Sequence, residues 1–179
     1  TDIDSFFTMS ELKAILNGNF NKNLIPVFDG GKATSTIRFL IDSVLRGDTL
    51  TRNAKAARSS QEVVDYVART PGTIGFLGVS WVGNKEDTMQ LDFLKKVKMA
   101  NLESAKQPGK YVLPFQVNIY DRNYPMVRDL VYILKERHNG LGHAFGDFMA
   151  GDIGQLIFRR AYLEPARRNF LLREAELRK

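Results

Sequence analysis

The sequence predicts an α/β fold, and three observations carry that prediction. Helical stripes and short β-branched or aromatic runs interleave along the chain instead of forming separate blocks. Two Ser/Thr-x-x-Glu spacings, Thr8 with Glu11 and Ser59 with Glu62, mark helix starts. The 179 residues are 44% hydrophobic and 26% charged, close to the globular average, so a packed core is available and disordered or collagen-like classes are excluded.

The elements follow in order. Residues 8–17 form a helix with Met9, Leu12, Ile15 and Leu16 on one apolar stripe, closed by Gly18. A polar connection leads to a short strand over 24–28, where Pro26 indicates an edge or a strand start because it has no N–H for a ladder. Residues 29–33 are a loop. The next helix aligns Ile37, Leu40, Ile41, Val44 and Leu45 and ends at Gly47. A short strand is expected around 54–57, then a helix from Ser59 with Val63, Val64 and Val67 inward. Thr70-Pro71-Gly72 turns the chain into a buried strand over 73–78, whose glycines allow close backbone approach. Residues 79–82 read as a short helix or turn, and 83–88 as a polar loop. Further strands are expected at 96–99, 111–115, 117–119 and 130–134, with a flexible excursion over 103–109. Two helices follow: 140–150 with Leu141, Phe145, Phe148 and Met149 inward, and 152–162 with Ile153, Leu156 and Ile157 inward. A last strand is placed at 169–172.

Charge and composition remove several function classes. Lys and Arg number 26 against 20 Asp and Glu, a net +6. Residues 159–179 alone hold seven bases and three acids, so most of the excess is a tail effect. No aromatic-rich basic platform and no recognition helix accompany it, so nucleic acid is not expected as a partner. There is no cysteine, which excludes disulfides, thiolate metal sites and Cys nucleophiles. No apolar run approaches the roughly 18 residues of a membrane span, and no signal peptide is visible. The chain opens on Thr1, and is expected to be a processed or trimmed product.

The stretch from Asp29 to Arg38 carries the most chemistry. A strand ends, Gly30 and Gly31 let the backbone turn, and Thr34, Ser35 and Thr36 stand at the start of the next helix. Free N–H groups and the positive end of the helix dipole make such a start an anion site. Lys32 and Arg38 add positive charge, and Asp29 can accept the proton of a monoprotonated oxyanion. The same residues are equally read as a plain N-cap at Thr34 or Ser35 after an ordinary Gly turn. A Walker loop is excluded: Pro26 stands where its first Gly is needed and Ala33 where Ser or Thr must follow Lys32. His138 and His143 are five apart, off the helical i,i+4 face, and read as loop or cap residues and not as metal ligands. No Gly-x-Ser-x-Gly elbow exists, no carboxylate pair can be assembled for acid–base work, and no cofactor is expected. Trp81, Phe115, Tyr120 and Tyr124 read as core or interface.

The ordered set of segments resembles the phosphate-binding components of ABC transporters, within the type II periplasmic binding proteins. Residues 7–18 look like the Gly-terminated helix opening that family's second lobe. Val27-Phe28-Asp29 through Arg38 looks like its oxyanion-contacting strand–loop–helix. Thr70-Pro71-Gly72 followed by Ile74-Gly75-Phe76 resembles its Pro-Gly-Ala-Ile-Gly-Tyr segment. Tyr124-Pro125-Met126-Val127-Arg128 resembles its Tyr-Pro-Leu-Thr-Arg hinge strand, and residues 140–162, with Gly151-Asp152-Ile153-Gly154-Gln155, its closing helices. Two departures stand out. Val27 replaces an Arg that the family often has two residues before the Asp, and the Gly of its Ser-Gly-Thr is lost.

The resemblance implies a mixed sheet flanked by helices, in a two-lobed protein that closes on phosphate or a similar small oxyanion without catalysis. Asp29 takes the place of the family's proton-accepting Asp, and Thr34, Ser35, Thr36 and Arg38 cover its Ser-Gly-Thr-Arg stretch. Residues 1–122 correspond to the second lobe and 123–179 to the hinge strand, helices and tail returning toward the first, whose N-terminal part is expected to lie outside the chain. The implied partner is the membrane permease of an ABC transporter. The implied location is the periplasm or cell envelope, with a signal or lipid anchor expected upstream of Thr1. A dimer through the exposed lobe surface is a further expectation. The alternative is a sensor or scaffold module of the same build without a transport role or with a different ligand. An enzyme of this fold is a third reading.

Overall fold

The first helix, α1 (Met9–Asn17), starts and stops where its side chains dictate. Thr8 Oγ1 accepts the Glu11 N–H at 3.2 Å, and the Glu11 carboxylate accepts the Thr8 N–H at 2.8 Å. Gly18 closes the helix in the left-handed region, with φ 84°. The computed structural model describes residues 5–30, 34–82, 84 and 87–167. The chain divides into two compact units, Thr1–Arg128 and Asp129–Lys179.

In the first unit, β2 (Ile25–Asp29) is the centre of a three-stranded parallel sheet, between β3 (Lys55–Ala57) and β4 (Thr73–Phe76). The central place of β2 overturns the edge reading of Pro26 and leaves the strand start, since Pro26 is buried at the second residue of the strand. The reason lies in the register. Ile25 donates its N–H to Gly72 on the β4 side, at 2.9 Å. Successive residues turn their N–H groups to opposite neighbours, so the missing donor of Pro26 falls on the β3 side. Pairing there begins only at Val27 with Lys55.

A second sheet has the order β1-β5-β6, formed by β1 (Phe6–Phe7), β5 (Asn101–Glu103) and β6 (Tyr111–Val112). Its first pair is parallel and its second antiparallel. Phe7, Leu12, Ile15, Leu16, Phe28 and Leu45 belong to the main core cluster, which joins the two sheets to α1.

After β2 the chain enters α2 (Ser35–Phe39), which widens into a π-helical turn over Leu40–Leu45. The Arg46 N–H reaches back five residues to the Ile41 carbonyl, and Arg46 and Gly47 follow at φ 49° and 99°. The wider turn keeps Ile37, Leu40, Val44 and Leu45 buried and swings Ile41 outward, which corrects its expected inward position. Helix α3 (Ser60–Arg69) is capped by Ser59 through the Glu62 N–H. The Glu62 carboxylate goes to the Arg58 N–H at 2.6 Å.

Three strand expectations in the first unit are corrected. The strand expected at 96–99 is not formed: Lys96 ends α4 (Thr88–Lys96), which Asp87 caps and whose Phe93 is buried against Val64 and Val82, 97–99 are neither helix nor strand, and the strand comes later, at β5. Lys95 and Lys96 sit in the last turn, where cations suit a helix C-terminus. The run 111–115 pairs only over β6, because Pro114 has no N–H to extend a ladder. Residues 117–119 lie within α5 (Gln116–Tyr120), whose Asn118 side chain bonds the Leu113 carbonyl at 2.9 Å.

The second unit contains α6 (Leu141–Ala150) and α7 (Asp152–Arg160). The two helices meet where Gly154 lies against the Met149 backbone, a place a Cβ would fill. Gln155 donates to the Met149 carbonyl at 2.7 Å and accepts the Arg167 N–H at 3.2 Å. The strand expected at 130–134 is not formed, since no described segment pairs with it; Leu130, Val131 and Ile133 are exposed. The inward faces expected for these helices are also corrected. Leu141 is 88% exposed and Ile153 65%, with Phe145, Phe148, Leu156 and Ile157 also open. Periodicity identifies an apolar face but does not supply a cover for it. The strand expected at 169–172, and Arg168, Arg173, Arg178 and Lys179 of the basic tail, lie outside the described residues. Among the described residues no helix is long and apolar enough to cross a membrane.

Candidate functional site

Asp29 ends the central strand opposite Ala57, at the carboxyl edge of the parallel sheet. Gly30 turns away with φ 85° and donates its N–H to the Ala57 carbonyl at 2.7 Å. Only glycine fits this step: it combines a left-handed φ with a Cβ position 2.6 Å from Thr34 Cγ2. Open α/β sheets hold ligands at this edge, where the helices that follow the strands present their N-termini.

Two helices begin here. Thr34 is the N-cap of α2, with its Oγ1 3.5 Å from the Ile37 N–H. The plain capping role therefore applies to this hydroxyl. Ser35 and Thr36 lie in the first turn, where backbone N–H groups have no carbonyl four residues back. Ser35 is exposed, Thr36 half-buried and Arg38 exposed. Gly31, Lys32 and Ala33 lie outside the described residues.

The second helix contributes a residue that sequence reasoning missed. Ser60, the first residue of α3, is only 4% exposed and donates its hydroxyl to Asp29 Oδ2 at 2.9 Å. The other carboxylate oxygen, Asp29 Oδ1, is buried without a hydrogen-bond partner. The signal available in the sequence was the Ser59-Ser60 pair: one serine suffices to cap a helix, so the second was free for another role.

The histidines have an acidic partner that their spacing hid. His143 Nδ1 lies 3.4 Å and His138 Nε2 3.6 Å from the Glu136 carboxylate, which also accepts the His143 N–H at 3.2 Å. Glu136 thereby serves the start of α6, whose N-cap Gly140 has no side chain. Among the described residues no cluster of three His, Cys, Asp or Glu could hold a metal ion. A separate open groove of about 490 Å³ is lined by Met9, Lys13, Phe39, Arg46, Pro125 and Val127 among others, and does not include the Asp29 edge.

Comparison with known proteins bears on the fold. The model of the PBP superfamily domain matches residues 2–152. A solved structure from Clostridium perfringens, assigned as a phosphate ABC transporter substrate-binding protein and determined with bound phosphate, superposes with a TM-score of 0.70 at 19% identity. The alignment covers 92% of this chain and 64% of that one, so the chain spans under two thirds of the length of this neighbour. No curated protein matches the chain in sequence.

Proposed function

Because the chain belongs to the PBP (periplasmic binding protein) superfamily through residues 2–152, we propose that it captures phosphate or a similar small oxyanion for ABC-type uptake. The observation that supports this reading is the carboxyl edge of the β3-β2-β4 sheet, where Asp29, the start of α2 and the start of α3 meet. Backbone N–H groups of Ser35 and Thr36, their hydroxyls and the Arg38 guanidinium would hold the anion through charge-assisted hydrogen bonds. Asp29 would accept a hydrogen bond from a ligand O–H, since a carboxylate oxygen is an acceptor. No bond is made or broken in such a cycle, so the role is binding and release to a membrane permease. This function requires a location outside the cytoplasm, in the periplasm or cell envelope. Residues 1–122 act as one lobe in this scheme, and 123–179 carry the return toward the other.

The test is calorimetric titration of the purified protein with inorganic phosphate, alongside Arg38→Ala and Thr36→Ala. Phosphate binding that both substitutions weaken supports capture. Binding that neither substitution alters would leave α2 with a helix cap and no ligand role.

A further inference from the structure

We propose that Asn139-Gly140 is a spontaneous deamidation site, while the chain's other Asn-Gly pair, Asn17-Gly18, is protected by its place in the fold. Asn-Gly suits this reaction because glycine has no Cβ to shield its nitrogen. That nitrogen gives up its proton and attacks the Asn Cγ. A C–N bond closes a five-membered succinimide, and the side-chain NH2 leaves as ammonia, taking the proton with it. Water then adds to either ring carbonyl and opens the ring to aspartate or isoaspartate. A water enters and an ammonia leaves, so no oxidant, reductant or enzyme is needed.

The attack needs an open backbone N–H, an open side-chain amide and rotation about the ψ bond of the Asn. Asn17 is the last residue of α1, where helical geometry holds ψ at about −42°. Gly18 donates its N–H to the Ile15 carbonyl at 3.3 Å, and Asn17 Oδ1 accepts the Asn19 N–H at 3.1 Å. All three requirements fail there unless the helix end unwinds. Asn139 stands in the connection before α6, outside any helix or strand, and is exposed. Among the described residues, neither its side chain nor the Gly140 N–H has a hydrogen-bond partner. The Gly140 carbonyl does have one, the Ala144 N–H at 3.1 Å, so the attacking residue is held while its nitrogen stays open.

The product falls at the start of α6. The Glu136 carboxylate, which accepts the His143 N–H, packs so tightly on Gly140 that a Cβ there would collide with it. Isoaspartate at 139 lengthens the main chain by a carbon just before this cap. Either product adds a negative charge next to His138, which pairs with Glu136.

The experiment incubates the purified full chain in mildly alkaline buffer, native and in urea, and then digests it with trypsin. Peptides 14–22 and 138–159 carry the two sites. Mass spectrometry follows the exchange of NH2 for OH, and fragmentation assigns it to Asn17 or Asn139. In the native protein Asn139 is expected to convert at least about tenfold faster than Asn17, and in urea the two rates should converge. Native conversion at both sites alike, or at neither, overturns the proposal. So does a tenfold difference that persists in urea, since local sequence and not the fold would then set it.

Discussion

Gly75 of β4 lies so close to Val63 of α3 that a Cβ on it would stand 2.8 Å from Val63 Cγ1 and 3.2 Å from Val67 Cγ2. Valine is stiff about χ1, so neither neighbour can turn aside cheaply. Gly75→Ala is expected to destabilise the protein by about 1–3 kcal/mol, seen as a lower denaturant midpoint with an unchanged slope. Adding Val63→Ala should recover part of that loss, which a double-mutant cycle would register as coupling.

The reciprocal cap of α1 should be separable from its apolar face. Thr8→Ala removes one donor–acceptor pair and strands the other, at a cost of about 1 kcal/mol. Glu11→Ala should cost less, and the double variant less than the sum of the two. Chemical denaturation of the three variants would show whether the two bonds act as one unit.

Thr34 and Arg38 should respond in opposite ways. Thr34 caps α2, so Thr34→Ala is expected to lower stability by about 1 kcal/mol. Arg38 is exposed, so Arg38→Ala should leave stability within about 0.5 kcal/mol of wild type while weakening phosphate binding at least tenfold. A melting curve and a phosphate titration on each variant make the comparison. Equal phosphate affinity in wild type and R38A would remove Arg38 from the site.

Tyr124 offers a pH signature. It packs against the main core cluster, and burial raises its phenol above the ordinary tyrosine value. The folded state then holds this proton more tightly than the unfolded state. The associated stability is complete below about pH 10, the unfolded value, and is lost as pH rises beyond it. Denaturation midpoints should therefore fall through the alkaline range in wild type, and less steeply in Tyr124→Phe. Ultraviolet titration should show one phenol ionising later than the others.

The parts of the fold that were legible in the sequence are those decided within a few residues. The Thr8 and Ser59 caps and the Gly18 stop each depend on neighbours along the chain. The errors arose where propensity or periodicity was overruled by a neighbouring breaker or by the lack of a packing partner. Val117 and Ile119 have strand propensity, yet Pro114 ends the ladder before them and a helix forms. The apolar stripe of α6 reads like a core face, yet Leu141, Phe145 and Phe148 are exposed, because periodicity marks a face and does not supply its cover. At the candidate site, Asp29, Thr34 and Arg38 could be named from one local segment. Ser60 could not, because its link to Asp29 spans 31 residues and exists only once the parallel sheet has formed.

The π-helical turn at Leu40–Leu45 bears on how length changes among relatives should be read. Such a turn accommodates one more residue than an α-turn over the same span. A relative with one residue fewer between Phe39 and Gly47 could therefore close this stretch as ordinary α-helix, with Ile37 still in the core and Thr34 to Arg38 undisturbed. Gaps aligned at this place would record slack in the helix that follows the site, and would carry no information about the ligand.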